Sequence, residues 1–307
     1  MNILVTGAWK EAKVNIKEIE KMGYYVYFLQ YENDELPCLY SSIEAVICNG
    51  LFLYHSIEKF TNLKYIQLIS AGYDRVPMDY VKKNKIQIFN AKGVYSVPMA
   101  EFAVMGILSL YKDLYGFYKN KNNKVWQKNN DLDELDGKNV AVLGMGSVGI
   151  EIAKRLKAFG CKIIGFDILE IKSQYFDEIY NIEKYNDYVN KMDIIVSCLP
   201  FTNDTDGFIN TVNLSKLKPT SIIVNLSRGK VINQYDLIKS LESNVIRGAV
   251  LDVFDEEPLN IENELWVLDN VVLTPHNSFI SNKNSIRLSN LIFDNLQIYT
   301  RRRKLND

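Results

Sequence analysis

Histidine is scarce in this chain of 307 residues, which has 2 of them, 4 cysteines and 3 tryptophans. Cys38, Cys48, Cys161 and Cys198 form no C-x-x-C pair and keep no metal-ligand spacing, so neither a disulfide framework nor a zinc site is expected, and the expected metal is none. An excess of charge of one sign is also missing. The formal net charge is -1, which gives no global positive field to gather nucleic acid or anionic lipid. The longest uncharged apolar stretch, 102–111, is too short to cross a bilayer, and Met1 to Gly7 runs into a strand without a basic leader. The expectation is a cytoplasmic protein with a small-molecule partner and neither a nucleic-acid nor a membrane partner. The basic run Arg301, Arg302, Arg303, Lys304 reads as a solvated helix end, with an anion-binding tail as the sharper alternative.

Hydrophobic residues make up 47% of the chain and charged residues 24%, enough apolar material for the cores of a two-domain enzyme. Short apolar runs alternate with helix-like segments from the first residue. Residues 2–6, 25–29, 45–48, 65–69 and 86–89 read as strands and 11–22 as a helix, the rhythm of an α/β domain that ends near Lys92. Residues 98–118 read as one long apolar helix able to bridge two domains, with Pro98 in its first turn and Glu101 near the positive end of its dipole. A polar stretch, 119–131, with Trp126 inside it, then marks the passage to a second domain.

That domain opens with a buried strand, Asn139 to Leu143, followed at once by Gly144-Met145-Gly146-Ser147-Val148-Gly149 and a helical pattern. A G-x-G-x-x-G in this setting is a dinucleotide fingerprint. The first glycine allows the turn, the second admits a pyrophosphate and the third lets helix and strand pack closely, while the helix N-terminus, at Ser147 and Val148, offers amides to negative charge. The next strand ends in Asp167, 18 residues beyond Gly149, where a ribose-binding acid belongs. A carboxylate there accepts from ribose hydroxyls and repels a 2′-phosphate, so NAD is the expected cofactor. A rival start at Leu4-Val5-Thr6-Gly7-Ala8 fails, because Trp9, Lys10 and Glu11 replace the further glycines.

Three later segments place ionisable groups at strand ends, where ligands of open α/β sheets bind. Arg228 follows the strand Ser221 to Asn225, and its planar fork suits a carboxylate. Asp252 to Glu257 follow the next strand, and His276 the one after. Imidazole is the natural proton donor near neutral pH, and His55 and His276 are the two candidates.

Taken in order, Gly144 to Gly149 with Asp167, Asn225-Leu226-Ser227-Arg228-Gly229, Leu251-Asp252-Val253 through Glu257-Pro258, and Thr274-Pro275-His276 resemble the signatures of the D-isomer-specific 2-hydroxyacid dehydrogenases. Ser70-Ala71-Gly72-Tyr73-Asp74 is similar to the family's substrate loop, Met99-Ala100-Glu101 to the start of its interdomain helix, and 200–205 to a further cofactor segment. The resemblance implies an α/β fold of two Rossmann-like domains with a cleft between them. A flavodoxin-like substrate domain would span 1–93 plus 281–307, and a doubly wound NAD-binding domain would be inserted at 94–280. It implies an NAD-dependent oxidoreductase acting on a D-2-hydroxy acid or its 2-keto acid, with His276 as acid and base, Glu257 as its partner and Arg228 on the substrate. Ser70 and the amides of Ala71 and Gly72 would complete the carboxylate site. Met145, Cys198, Leu199, Pro200, Thr205, Leu226 and Ser227 would border the cofactor with Arg228 and His276, and Asp252 would hold the nicotinamide carboxamide. A homodimer joined through the NAD-binding domain is implied, and no regulatory domain is expected after the C-terminal helix.

Two departures bear on substrate choice: Lys112 stands where relatives carry an arginine, and Asn277-Ser278-Phe279 replaces small residues. Residues 51–54 fit an apolar substrate pocket, the core or a subunit contact equally well. A non-catalytic reading, an NAD(H)-sensing protein similar to the family's corepressor relatives, uses the same scaffold.

Overall fold

A computed structural model describes residues 1–306, with side chains through Arg303. The chain divides into two compact units, Met1–Tyr95 with Ser281–Asp307, and Ser96–Ile280.

The first unit holds β1 (Asn2–Thr6), β2 (Tyr25–Leu29), β3 (Ala45–Cys48), β4 (Tyr65–Leu68) and β5 (Gln87–Phe89). They form one parallel sheet in the order β2-β1-β3-β4-β5, the flavodoxin-like arrangement. Successive residues of β1 enter opposite cores: Ile3 and Val5 pack with the helices Ala12–Lys21 and Asn284–Asn306, and Leu4 packs on the other face. Strands buried on both faces read as unbroken apolar runs, which is why they are visible in the sequence.

The second unit carries β6 (Asn139–Leu143), β7 (Lys162–Asp167), β8 (Glu178–Asn181), β9 (Ile194–Ser197), β10 (Ile222–Asn225), β11 (Gly248–Leu251) and β12 (Val271–Leu273). Their order, β12-β11-β10-β9-β6-β7-β8, is a doubly wound parallel sheet that reverses direction at β6 and β9. Strands β8 and β9 add to those expected from the sequence. Edge strand β8 alternates between half-buried and exposed residues, and β9 is only four residues long.

The long helix expected over 98–118 is two helices, Ser96–Tyr111 and Leu114–Asn122. The break is at Asp113, whose backbone is left-handed with φ of 49° and whose carboxylate accepts from Gly116 N at 3.1 Å. An aspartate that caps a new helix in this way ends the preceding one, and propensity alone does not reveal it. Asn129 Nδ2 donates to the same carboxylate at 2.8 Å, returning the polar stretch along the second helix. Trp126 in that stretch is fully exposed.

The C-terminal helix is fastened to the first sheet by buried polar groups. Gln67, with no exposed surface on β4, accepts from Asn295 Nδ2 at 2.9 Å and from the Tyr65 hydroxyl at 3.2 Å. Replacing Asn295 with Ala removes one donor from a buried carboxamide, so unfolding in urea should show a loss of about 1–2 kcal/mol at unchanged m-value.

Candidate active site

The glycine motif sits at the turn from β6 into the helix Ser147–Ala158. Gly144 has φ of 91°, and a Cβ there would stand 2.9 Å from Cys198 O, so the strand ends β6 and β9 leave no room for a side chain. At Gly149 a Cβ would meet Gly144 O at 2.2 Å, the helix-to-strand approach that the motif requires. Gly146 differs: nothing lies within 4 Å of its Cβ position, so backbone there faces open space at a helix N-terminus. That is the cradle a pyrophosphate needs. Asp167, at the end of β7, accepts from Met145 N at 2.6 Å and Leu169 N at 3.0 Å, which ties this strand end to the glycine loop.

Around this turn Leu199, Leu226 and Ser227 are buried, whereas Pro200 is exposed. Thr205 closes its loop by donating to Pro200 O at 2.7 Å and accepting from Thr202 N at 2.8 Å.

Arg228 follows β10 in extended backbone, and its Nη1 donates to Ser227 O at 2.8 Å. His276 follows β12 with φ of 50° and a side chain 43% exposed. Its Nδ1 lies 2.7 Å from Glu257 Oε2, and the other oxygen of Glu257 accepts from Phe254 N at 3.1 Å. Of the acidic run 255–257, Glu257 is the member that meets the imidazole. Burial lifts the Asp255 carboxyl above the ordinary range, with Asp206 adding to the effect and Lys230 opposing it. Phe279 stands edge-on to the His276 ring, with centroids 5.8 Å apart. Asp252 has no exposed surface, and its carboxylate accepts from Thr274 Oγ1, Asn277 N and Ser278 N at 2.7, 2.7 and 2.9 Å.

His55, the other histidine, is 6% exposed in the first unit. Its Nε2 is 2.8 Å from Glu32 O and its Nδ1 2.8 Å from the Tyr40 hydroxyl. A carbonyl only accepts, so Nε2 carries the hydrogen and both ring nitrogens are committed to structure. Glu32 itself accepts from Thr6 Oγ1, Asn49 N and Gly50 N at 2.8, 2.7 and 2.6 Å, filling the crevice between the ends of β1 and β3. Trp9, which follows β1, is buried against Phe293 of the C-terminal helix, and its indole donates to Ser289 Oγ at 3.2 Å. The rival dinucleotide start is thus occupied by the protein's own side chains.

In the same unit Ser70, Ala71 and Gly72 follow β4, where Asn90 Nδ2 donates to Ala71 O and Ser70 Oγ to Gly72 O, at 2.5 and 3.1 Å. Leu51 is fully buried and Phe52 packs edge-on to Phe60, so these two belong to the core, while Leu53 and Tyr54 are exposed. Lys112 donates to Asp133 O at 2.5 Å. Among the described residues no group of three or more histidine, cysteine, aspartate or glutamate side chains could hold a metal ion.

Residues 104–278 match the family described as D-isomer specific 2-hydroxyacid dehydrogenase, NAD binding domain. The chain belongs to this family. A glyoxylate reductase from Thermofilum pendens is 34% identical over 253 residues, covering 80% of this chain and 72% of that protein. A D-isomer specific 2-hydroxyacid dehydrogenase family protein from Aeromonas salmonicida superposes with a TM-score of 0.79 at 26% identity, covering 98% and 93% of the two chains. A probable 2-hydroxyacid dehydrogenase from Rhizobium etli, solved with NADP, gives 0.74 at 25% identity and covers 93% and 91%. The two parallel sheets are the fold that the resemblance implied, and the chain is an oxidoreductase that uses a nicotinamide cofactor on 2-hydroxy and 2-keto acids. The sensing alternative is not favoured, since curated relatives carry the names of glyoxylate and hydroxypyruvate reductases.

Alanine at Gly146 should leave the melting temperature unchanged and weaken NADH binding by about tenfold or more, because the methyl group enters the open cradle. At Gly149 the same change forces the helix off the strand and should cost about 1–3 kcal/mol of stability. Thermal melts and NADH fluorescence titration separate the two.

Proposed function

We propose that the chain is an NAD-preferring reductase of small, unphosphorylated 2-keto acids, with His276 giving the proton in reduction and taking it in oxidation. The observation that carries this reading is the 2.7 Å contact of His276 Nδ1 with Glu257 Oε2. A carboxylate oxygen accepts, so Nδ1 holds its hydrogen and Nε2 is the nitrogen that exchanges a proton with substrate. Reducing a keto group takes a hydride at carbon and a proton at oxygen, and a bound nicotinamide cofactor supplies the hydride. Glu257 fixes the tautomer and the ring direction. Arg228 binds the substrate carboxylate through its planar fork and polarises the carbonyl, and Ser70, Ala71 and Gly72 are the remaining substrate residues.

Met145, Ser147 and Val148, with the three glycines, hold the pyrophosphate, and Cys198, Leu199, Pro200, Thr205, Leu226 and Ser227 line the cofactor. The open space at Gly146 supports this assignment. Asp167 supports NAD over NADP, because a 2′-phosphate would face its carboxylate. Residues 49–55 contain no lysine or arginine, and Glu32 adds negative charge against the Asn49 and Gly50 amides, which supports an unphosphorylated substrate.

The assembly we propose is a homodimer joined through the 96–280 unit. An exposed groove of about 460 Å³, lined by Leu114, Tyr115, Tyr118 and Trp266 among others, supports it. No helix among the described residues is long and apolar enough to cross a membrane, and the proposed location is the cytoplasm.

Replacing His276 with Ala should lower kcat by about a hundredfold or more while NADH binding persists, and His55→Ala should reduce stability and spare kcat. Loss of turnover in the His55 variant alone would overturn the proton-transfer assignment. Asp167→Ser should narrow the ratio of NADH to NADPH kcat/KM, measured across a panel of glyoxylate, hydroxypyruvate and 3-phosphohydroxypyruvate. Equal use of both cofactors by the wild type would overturn the NAD reading, and a preference for the phosphorylated acid would overturn the substrate reading.

A further inference from the structure

Strands β10 and β11 pair in register, with Asn225 opposite Leu251, so Asn225 and Asp252 occupy neighbouring strand ends. Both side chains are buried, at 1% and 0% exposure, and Asp252 N donates to Asn225 O at 3.1 Å. Neither side chain is spent on its own strand. Asn225 Oδ1 accepts from Ser227 N at 3.2 Å and Ser227 Oγ at 2.9 Å, and its Nδ2 donates to Arg228 O at 3.0 Å. These bonds fold the turn that carries Arg228.

Asp252 does the same for the turn that carries His276. Its backbone carbonyl accepts from His276 N at 2.8 Å, and its carboxylate takes Thr274 Oγ1 and Asn277 N on one oxygen and Ser278 N on the other. The bonds bracket His276 on both sides, where its backbone is left-handed with φ of 50°, a region that a residue with a side chain seldom adopts unaided. A buried carboxylate must be met by donors, and here the donors are the turn itself.

We propose that Asn225 and Asp252 are positioning residues that form one clamp across β10 and β11 and set the turns of Arg228 and His276 relative to each other. Asp252 then acts through the His276 turn, whose own donors hold its carboxylate. The inference rests on the roles proposed above for Arg228 and His276, but part of its test needs no turnover.

With two histidines in the chain, ¹⁵N-labelled imidazole resonances of the cofactor-free protein report on His276, and His55 in the other unit serves as reference. Asp252→Asn keeps the shape and turns either a donor toward Ser278 N or a weaker acceptor toward the turn. It should move the His276 resonances, leave those of His55 in place, and lower kcat at saturating NADH by about tenfold or more with the NADH Kd within about twofold. Thr274→Val removes a single donor from the same carboxylate and should move the His276 resonances less. Asn225→Ser should raise KM for the keto acid by about tenfold with a similarly unchanged NADH Kd, because it loosens the Arg228 turn. Unmoved His276 resonances in Asp252→Asn, or in Thr274→Val should the first variant not fold, would overturn the clamp. So would a tenfold loss of NADH affinity at unchanged kcat. A wild type without turnover whose His276 resonances still move in Asp252→Asn would refute the proposed reaction and leave the clamp standing.

Discussion

Parallel pairing makes every strand of a sheet end on the same side, and in the 96–280 unit the whole candidate site hangs from that constraint. The central strands β6, β9, β10 and β11 are buried almost throughout and carry little that is polar along their lengths, so the candidate site residues are confined to positions at or just past the carboxyl ends of strands. Gly144 follows β6, Asp167 closes β7, Cys198 follows β9, Arg228 follows β10, Asp252 follows β11 and His276 follows β12. The crowding of Gly144 against Cys198 O is the cost of bringing the two central strands to the reversal point.

The first unit has the same layered construction and a comparable reversal at β1 and β3, yet its crevice is closed by its own residues. Glu32 supplies the anion that the amides of Asn49 and Gly50 would otherwise take from a ligand, and Trp9 fills the turn after β1. One architecture has thus been resolved in two ways, by glycine and open space in one unit and by a carboxylate and an indole in the other.

Most of the strands and the glycine turn were legible in the sequence because apolar runs and glycine spacing are local properties. What escaped depends on which partners a residue meets rather than on its type. The break at Asp113 needs Gly116 and Asn129 to be seen as a cap, and β8 is an edge strand whose alternation matches a loop as readily as a strand. The two histidines both follow apolar segments and differ only in what surrounds them: Tyr40 and a carbonyl enclose one, while a carboxylate leaves one nitrogen of the other uncommitted by that contact. Asn225 and Asp252 were visible as residues, but counting their donors and acceptors required the turns of Arg228 and His276 in three dimensions.

The insertion of one unit inside the other has a consequence for the order of assembly during synthesis. Residues 96–280 contain all the strands of their own sheet, so that sheet has its full complement once they have left the ribosome. The unit made of both chain ends cannot close then. Its helix Asn284–Asn306 is made after that sheet, and it meets partners laid down before it, as in Trp9 with Ser289 and Gln67 with Asn295, separated by 280 and 228 positions. Loops of that length close slowly, so an apolar face of the first sheet stays open while the whole inserted unit is made. The segment most exposed to misassembly is therefore the one that precedes the inserted unit.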